Sequence, residues 1–157
     1  AASRRGRGGG LALSEAEEDE LAGLLRHAEL SRVHVRKVME FALNKAAAAA
    51  EVVRALAASL TLESTPAPRK LARLYALSDV LYNSGASVSN ASNYRALLQK
   101  HLPEVFESLR SCFHTIQGRA TSSRMRDRVM RVLAAWDDWS LFPPLYTSGL
   151  AATFLCP

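Results

Sequence analysis

Residues 68–84 read PRKLARLYALSDVLYNS, and this stretch decides the fold. Its apolar residues recur at steps of three and four, the period of an α-helix that buries one face. These residues are Leu71, Leu74, Leu77, Val80 and Leu81. A second set, spaced i, i+4, i+7 and i+8, carries side chains that form hydrogen bonds and shares another face of the helix. This set is Tyr75, Asp79, Tyr82 and Asn83. Any one of these groups is more often satisfied by a neighbouring helix than by a ligand, but four together indicate a groove.

The rest of the chain has the same helical period, and no stretch alternates for long enough to predict a strand. We predict about eight helices, counting the one above as the fourth. They cover about 14–27, 31–44, 46 to just before Thr65, 69–84, 91–100, 103–118, 122 or 123 to just before 142, and 144–154. Asn90 is the expected cap of the fifth helix, and Pro103 the expected first turn of the sixth. The fold class is therefore all-α, either a bundle or a superhelical stack.

The 157 residues are enough for one hydrophobic core. Residues 1–13 are rich in arginine and glycine, so we predict a flexible linker followed by a helical domain over 14–157. No apolar run is long enough to span a membrane, and the chain does not open on a secretory signal, which favours a piece of a longer protein. The two cysteines, Cys112 and Cys156, are far apart, so we expect no disulfide framework, no metal site and a reducing compartment.

Charge is unevenly distributed beneath the net value of +5. Residues 14–64 hold six Lys/Arg against nine Asp/Glu, whereas residues 65–131 hold eleven against four. The predicted seventh helix places Arg124, Arg128 and Arg131 at i, i+4 and i+7, opposite its apolar stripe. An exposed face in water is the ordinary explanation for Arg124 and Arg128. The second half of the domain is nevertheless expected to attract anions, and the three arginines are candidate phosphate-binding residues.

The sequence contains little that supports a catalytic site or a cofactor site. The four histidines lack metal-binding spacing, and no glycine-rich phosphate loop follows a strand. Asp137 and Asp138 lie between two tryptophans, where ending a helix is a more ordinary role than acid-base catalysis. We therefore expect no enzyme activity and no cofactor.

Several motifs resemble one family of domains. The residues R and K at 69–70, LY at 74–75, DV at 79–80 and Asn83 resemble the fourth helix of the domains that bind the C-terminal tail of RNA polymerase II. Over about 15–155 the chain is most similar to the SURP-motif splicing factors associated with the branch-site snRNP, and among these to plant members. The motifs that carry this similarity are DVLYNS at 79–84, NAS at 90–92 with Tyr94, QG at 117–118, RV at 128–129, WDDW at 136–139 and ATFL at 152–155.

The resemblance implies a right-handed superhelical stack, as in the related VHS and ENTH domains, and a ligand built from phosphorylated YSPTSPS repeats. Asp79 would accept a hydrogen bond from the peptide tyrosine, Asn83 would bind the peptide backbone, and Tyr75 would form part of the pocket wall. Many family members carry their acid where this chain has Ser78. The predicted peptide-binding set is Tyr75, Ser78, Asp79, Tyr82 and Asn83, and the resemblance implies a phosphate contact from Arg131.

The resemblance further implies a nuclear protein of pre-mRNA splicing, whose partners are the polymerase tail and splicing-complex proteins. A monomer that does not bind membranes is expected. Weak RNA contact through the basic half and the amino-terminal arginines is an alternative, which predicts a steep salt dependence. A membrane adaptor and a scaffold that binds only proteins are further alternatives, although the glycine-rich amino terminus lacks the apolar face that a membrane helix needs.

Overall fold

The computed structural model describes residues 12–85 and 87–157, and every regular element within them is helical. The α-helices are α1 (Glu15–Arg26), α2 (Arg32–Asn44), α3 (Ala49–Thr61), α4 (Ala67–Tyr82), α5 (Asn93–Thr115), α6 (Arg119–Asp138) and α7 (Pro144–Leu155). Short 3-10 turns, Ala46–Ala48 and Asn83–Gly85, precede α3 and follow α4. The predicted all-α fold class is confirmed.

The first helix begins where the sequence predicts. Ser14 is its N-cap: the Ser14 side chain accepts a hydrogen bond from the Glu17 backbone, and the Glu17 carboxylate accepts one from the Ser14 backbone. This capping box satisfies two amide groups that the first turn of a helix leaves unpaired. Glu17 also forms an ion pair with Lys45, which ties the start of α1 to the end of α2.

Helix α4 is the central element of the stack, since it contacts α2, α3, α5 and α6. All five of its predicted apolar residues are buried, as the helical period requires. The other main contacts are α3 on α5, α5 on α7, and α6 on α7. Trp136 of α6 is completely buried at this centre, between the rings of Phe106 and Phe142. This arrangement of successive helices fits the superhelical stack that the resemblance implies.

The fifth and sixth predicted helices are in fact one helix. Helix α5 continues through Pro103, so the described residues contain seven α-helices where about eight were predicted. A proline inside a helix lacks the N–H that would bond the carbonyl four residues earlier, here that of Gln99. The Tyr146 hydroxyl of α7 replaces this lost donor, because it donates to the Gln99 carbonyl at 2.5 Å. Burial of this hydroxyl raises the pKa of Tyr146 to about 12.

This replacement makes a specific prediction. Tyr146→Phe should lower the free energy of unfolding by about 1–3 kcal/mol, because the Gln99 carbonyl loses its donor. In a Pro103→Ala background the restored backbone N–H can bond Gln99, so the same substitution should cost much less. Urea unfolding of the wild type, both single variants and the double variant measures the coupling. Equal costs in both backgrounds would rule out this explanation of the continuous helix.

Several other boundaries differ from the sequence prediction by a few residues; α4, for example, begins at Ala67 instead of residue 69. Asn90 was expected to cap a helix from residue 91, but it has a left-handed backbone (φ 67°) and α5 begins only at Asn93. Helix α6 begins at Arg119, before the predicted Ser122 or Ser123, because Gly118 acts as N-cap and its carbonyl accepts the Ser122 amide at 2.9 Å.

Most of the predicted linker, residues 1–11, lies outside the described residues. Leu13, its last position, is buried, and its backbone N–H donates to the Glu51 carboxylate at 2.8 Å. Leu13 is therefore packed against the helices and is not part of a solvent-exposed segment. Among the helices of the described residues, none has the length and apolar character needed to cross a membrane.

Candidate binding groove

A groove of about 610 Å³ lies between α2, α4 and α6. Helix α4 and the first residue of the 3-10 turn after it contribute the four polar residues that the sequence pattern placed on one face, and the structure brings all four together here. The groove is lined by Leu30, Ser31, Arg32, Val35, Arg36, Met39, Tyr75, Asp79, Tyr82, Asn83 and Arg128. It therefore combines an apolar wall from α2 with hydrogen-bonding groups from α4.

Three arginines line this groove: Arg32 and Arg36 from α2, and Arg128 from α6. Arg32 and Arg36 are exposed, whereas Arg128 is half-buried. None of the ion pairs found in residues 12–85 and 87–157 includes any of the three. Guanidinium groups without a carboxylate partner are well suited to bind a phosphate.

Asp79 is the acid among these arginines. Burial raises the pKa of its carboxyl, while the charges of Arg36 and then Arg32 act in the opposite direction. The side chain is partly shielded from solvent within the groove. A half-buried carboxylate with raised pKa is a strong hydrogen-bond acceptor held in an unfavourable environment, as expected of a group kept for a ligand.

The other α4 residues surround this carboxylate. The Asn83 side-chain amide donates to the Asp79 backbone carbonyl at 2.8 Å, which fixes its orientation and leaves its oxygen available to a ligand N–H. Tyr75 is partly buried and packs on the hydrophobic core, so its ring forms a well-fixed part of the groove wall. Tyr82 is 61% exposed and its ring contacts that of Trp139 in a tilted arrangement, with ring centroids 4.7 Å apart.

Ser78, which the sequence included in the peptide-binding set, does not line the groove. Its side chain is buried and its hydroxyl accepts a hydrogen bond from the Trp136 indole N–H at 3.0 Å. A buried indole N–H needs a partner, and serine provides one between α4 and α6. At this position the structure therefore shows a contact that joins two helices.

The three predicted arginines of α6 have different environments. Arg128 lines the groove, whereas Arg124 and Arg131 are exposed and do not belong to its lining. Arg131 lies about 60° and Arg124 about 40° around the helix from Arg128, so all three project from the same side of α6. Of the three, geometry thus brings Arg128 to the α4 residues, whereas the family resemblance implies the phosphate contact at Arg131.

Sequence reasoning missed Arg32 and Arg36. Their i, i+4 spacing placed both on one face of α2, which was the only available signal. Which helix that face meets is decided by the packing of α2 on α4 and cannot be read from the spacing. Asp137, by contrast, has a structural contact outside the groove, since it accepts a hydrogen bond from the Thr147 hydroxyl at 2.5 Å.

Comparison with known proteins agrees with this architecture. The family model described as the CID domain matches residues 18–150. Two proteins of Arabidopsis thaliana are similar over 143 residues, or 91% of this chain: one named Protein RRC1-like, at 46% identity, and one named Protein RRC1, at 44%. The chain spans only 15% of the length of each relative. CID domains are protein-interaction modules, and this chain belongs to the CID family.

Proposed function

We propose that this domain binds phosphorylated heptad repeats of the RNA polymerase II C-terminal tail in the groove between α2, α4 and α6. The observation that carries the proposal is the lining of this groove, in which three arginines without described ion-pair partners surround Asp79 and Asn83. Phosphoserine supplies the anion for the arginines, and the rest of the repeat supplies hydrogen-bonding groups for α4.

Each groove residue has a chemical role in this proposal. Asp79 accepts a hydrogen bond from the peptide tyrosine, Asn83 accepts one from a peptide N–H, and Tyr75 forms the wall of the pocket. Arg128 binds phosphate from α6, and Arg131 adds a phosphate contact from the same helix, as the family resemblance implies. Arg32 and Arg36 extend it on the α2 side. Ser78 holds Trp136, and thereby α6, against α4.

We further propose that the domain tethers a nuclear splicing factor to transcribing polymerase. Membership of the CID family supports a role in RNA processing, and the motif resemblance supports the SURP-motif branch of the family. The linker over residues 1–13 and the domain over 14–157 remain predictions from composition.

A fluorescence-anisotropy titration tests the proposal directly. Two-repeat tail peptides, either plain or phosphorylated at the second or fifth serine, are titrated with the domain. We expect a preference for at least one phosphopeptide over the plain peptide. Equal binding of all three peptides, or none, would contradict the proposal.

RNA binding is the second candidate function, and a specific observation favours it. Tyr82 and Trp139 expose their rings next to a groove with three arginines, a combination that single-stranded RNA-binding proteins use to stack bases. A single-stranded RNA titrated at two salt concentrations distinguishes the candidates. RNA binding that falls steeply with salt, without any phosphopeptide preference, would favour this second function.

Replacement of Asp79 by asparagine should separate binding from stability. Asp79→Asn should weaken both plain and phosphorylated peptides, because a neutral amide is a poorer acceptor for the tyrosine hydroxyl. It should also raise the free energy of unfolding at neutral pH, since burial disfavours the charged carboxylate. The pKa of the Asp79 carboxyl is therefore higher in the folded protein than in the unfolded chain, where it has its ordinary value of 3.8. The free energy of unfolding of the wild type falls as pH rises from the unfolded-state pKa through the folded-state pKa, and the variant should lack this decrease.

Peptide titration and urea unfolding at several pH values measure both effects. Asn83→Asp, in the same groove, is a useful comparison because it adds a charge instead of removing one. Loss of both stability and affinity in Asp79→Asn would show that Asp79 supports the fold and would refute its assignment to the ligand.

A further inference from the structure

The groove ends at a pair of aromatic rings that the fold does not bury. Tyr82 is 61% exposed and Trp139 is 38% exposed, yet their rings contact each other at a centroid distance of 4.7 Å and an interplanar angle of 57°. Tyr82 also lines the groove. The two rings therefore expose apolar surface to solvent at one end of the groove. The rest of the groove carries the positive charges of its three arginines.

The direction of the helices gives the pair its position. Ser78 contacts Trp136, and four residues further along α4 Tyr82 contacts Trp139, so α4 and α6 run side by side in the same direction. Arg128 precedes Trp139 by eleven residues, which is close to three helical turns. The two side chains therefore project from the same side of α6, roughly 16 Å apart along its axis. An extended peptide covers this distance with about five residues.

The Trp139 ring also has an available hydrogen-bond donor. The indole N–H of Trp136 donates to Ser78, but among the hydrogen bonds of residues 12–85 and 87–157 the indole of Trp139 donates to nothing. An exposed tryptophan thus offers both an apolar face and an N–H at the end of the groove. This is the chemistry with which aromatic-lined grooves bind proline-rich segments.

We propose that Tyr82 and Trp139 form a proline-binding subsite, with a proline ring packed on the pair and the Trp139 indole N–H donating to a peptide carbonyl. The inference rests on the proposed function, in which Arg128 binds phosphoserine of the tail repeat. In repeated YSPTSPS the second serine precedes the sixth-position proline by four residues, and the fifth serine precedes the third-position proline of the next repeat by five. The five-residue spacing matches the separation of Arg128 and Trp139, whereas four extended residues reach at most about 14 Å. One extended peptide phosphorylated at the fifth serine therefore reaches both subsites.

A double-mutant cycle, with one substitution in the protein and one in the peptide, tests this subsite. Wild type, Trp139→Ala and Tyr82→Ala are titrated with a phosphorylated two-repeat peptide and with the same peptide whose prolines are alanines. Trp139→Ala should weaken the proline peptide about three- to tenfold and change the alanine peptide little, the loss expected for one aromatic contact. The phosphopeptide should also protect tryptophan fluorescence from acrylamide in the wild type and not in Trp139→Ala.

Leu145→Ala is the matched control, because Leu145 is a large apolar residue that is 86% exposed and does not line the groove. Circular dichroism verifies that each variant is folded. Phosphopeptide preference with no effect of Trp139→Ala, or with equal losses on both peptides, overturns the subsite and leaves the proposed function intact. Absence of phosphopeptide preference, together with RNA binding that depends on Trp139, overturns both and identifies the pair as a base-stacking platform.

Discussion

Arg128→Ala is expected to weaken binding of a phosphorylated two-repeat tail peptide about tenfold to a hundredfold, and to leave plain-peptide affinity nearly unchanged. A hydrogen bond between charged groups contributes about 1.5–3 kcal/mol, and each 1.4 kcal/mol corresponds to about a factor of ten in affinity. Arg128 is half-buried in the groove. Partial shielding from water keeps such a contact stronger than one on an open surface.

Fluorescence anisotropy with paired plain and phosphorylated peptides measures this effect. Arg131→Ala should produce a loss with the same selectivity, as the family resemblance implies. Arg126→Ala is the matched control, because Arg126 is exposed on the same helix and points away from the groove. Equal losses of plain and phosphorylated peptide in Arg128→Ala would show that the side chain maintains the shape of the groove, and would contradict its role in phosphate binding.

Raised salt provides a second check of the phosphate contact. At 0.1 M salt the interaction between exposed charges more than about 10 Å apart is largely screened, whereas partly buried charge pairs are screened much less. The phosphopeptide preference should therefore fall only moderately between low and physiological salt. RNA bound through many phosphates would lose affinity far more steeply.

The sequence predicts α4 well because a helix in the middle of a stack must bury most of its surface. Its apolar period identifies the buried face, and the four polar positions identify the groove face. The Ser14 cap is equally readable, since the capping box involves only neighbouring residues. Where local chemistry and tertiary packing require the same residue, hydrophobic periodicity and capping residues are sufficient to predict the helix.

Other features depend on contacts between distant residues, and these the sequence does not reveal. Pro103 resembles the start of a helix, but the Tyr146 hydroxyl from another helix allows α5 to continue. Ser78 resembles part of a polar face, but it lies where α4 meets Trp136. Arg32 and Arg36 are ordinary surface residues until α2 packs on α4 and turns them toward Asp79. Each of these misses arises from a partner that is more than forty residues away.

Arg73 is a further residue of this kind, and it carries the largest expected effect on stability. It lies on α4 among the apolar residues and is only 8% exposed. Its guanidinium donates to the Ser59 carbonyl at 2.6 Å, to the Thr65 hydroxyl at 3.3 Å and to the Leu25 carbonyl at 2.9 Å. One side chain thus satisfies the carboxyl-terminal ends of both α1 and α3, where helix carbonyls lack internal partners.

The energetic balance at Arg73 has two opposing parts. Burial lowers the pKa of Arg73, with a smaller contribution from the charge of Arg69, so holding this cation inside the protein costs free energy. Each of its hydrogen bonds stabilises the folded state by about 1.5–3 kcal/mol, and without them the buried Ser59 carbonyl would have no donor. The hydrogen bonds should dominate, because two of the three acceptors are carbonyls of helix ends that are fixed in position.

We expect Arg73→Ala to lower the free energy of unfolding by about 3–5 kcal/mol, a large part of the roughly 5–15 kcal/mol that holds a typical domain together. Arg73→Met keeps most of the apolar stem and should cost about 2 kcal/mol, the part that belongs to the lost hydrogen bonds. Arg54→Ala, at an exposed arginine of α3, should change stability by no more than about 0.5 kcal/mol. Urea unfolding followed by circular dichroism measures all three. If Arg73→Met is as stable as the wild type, burial of the charge has cancelled the hydrogen bonds, and Arg73 joins the three helices without stabilising them.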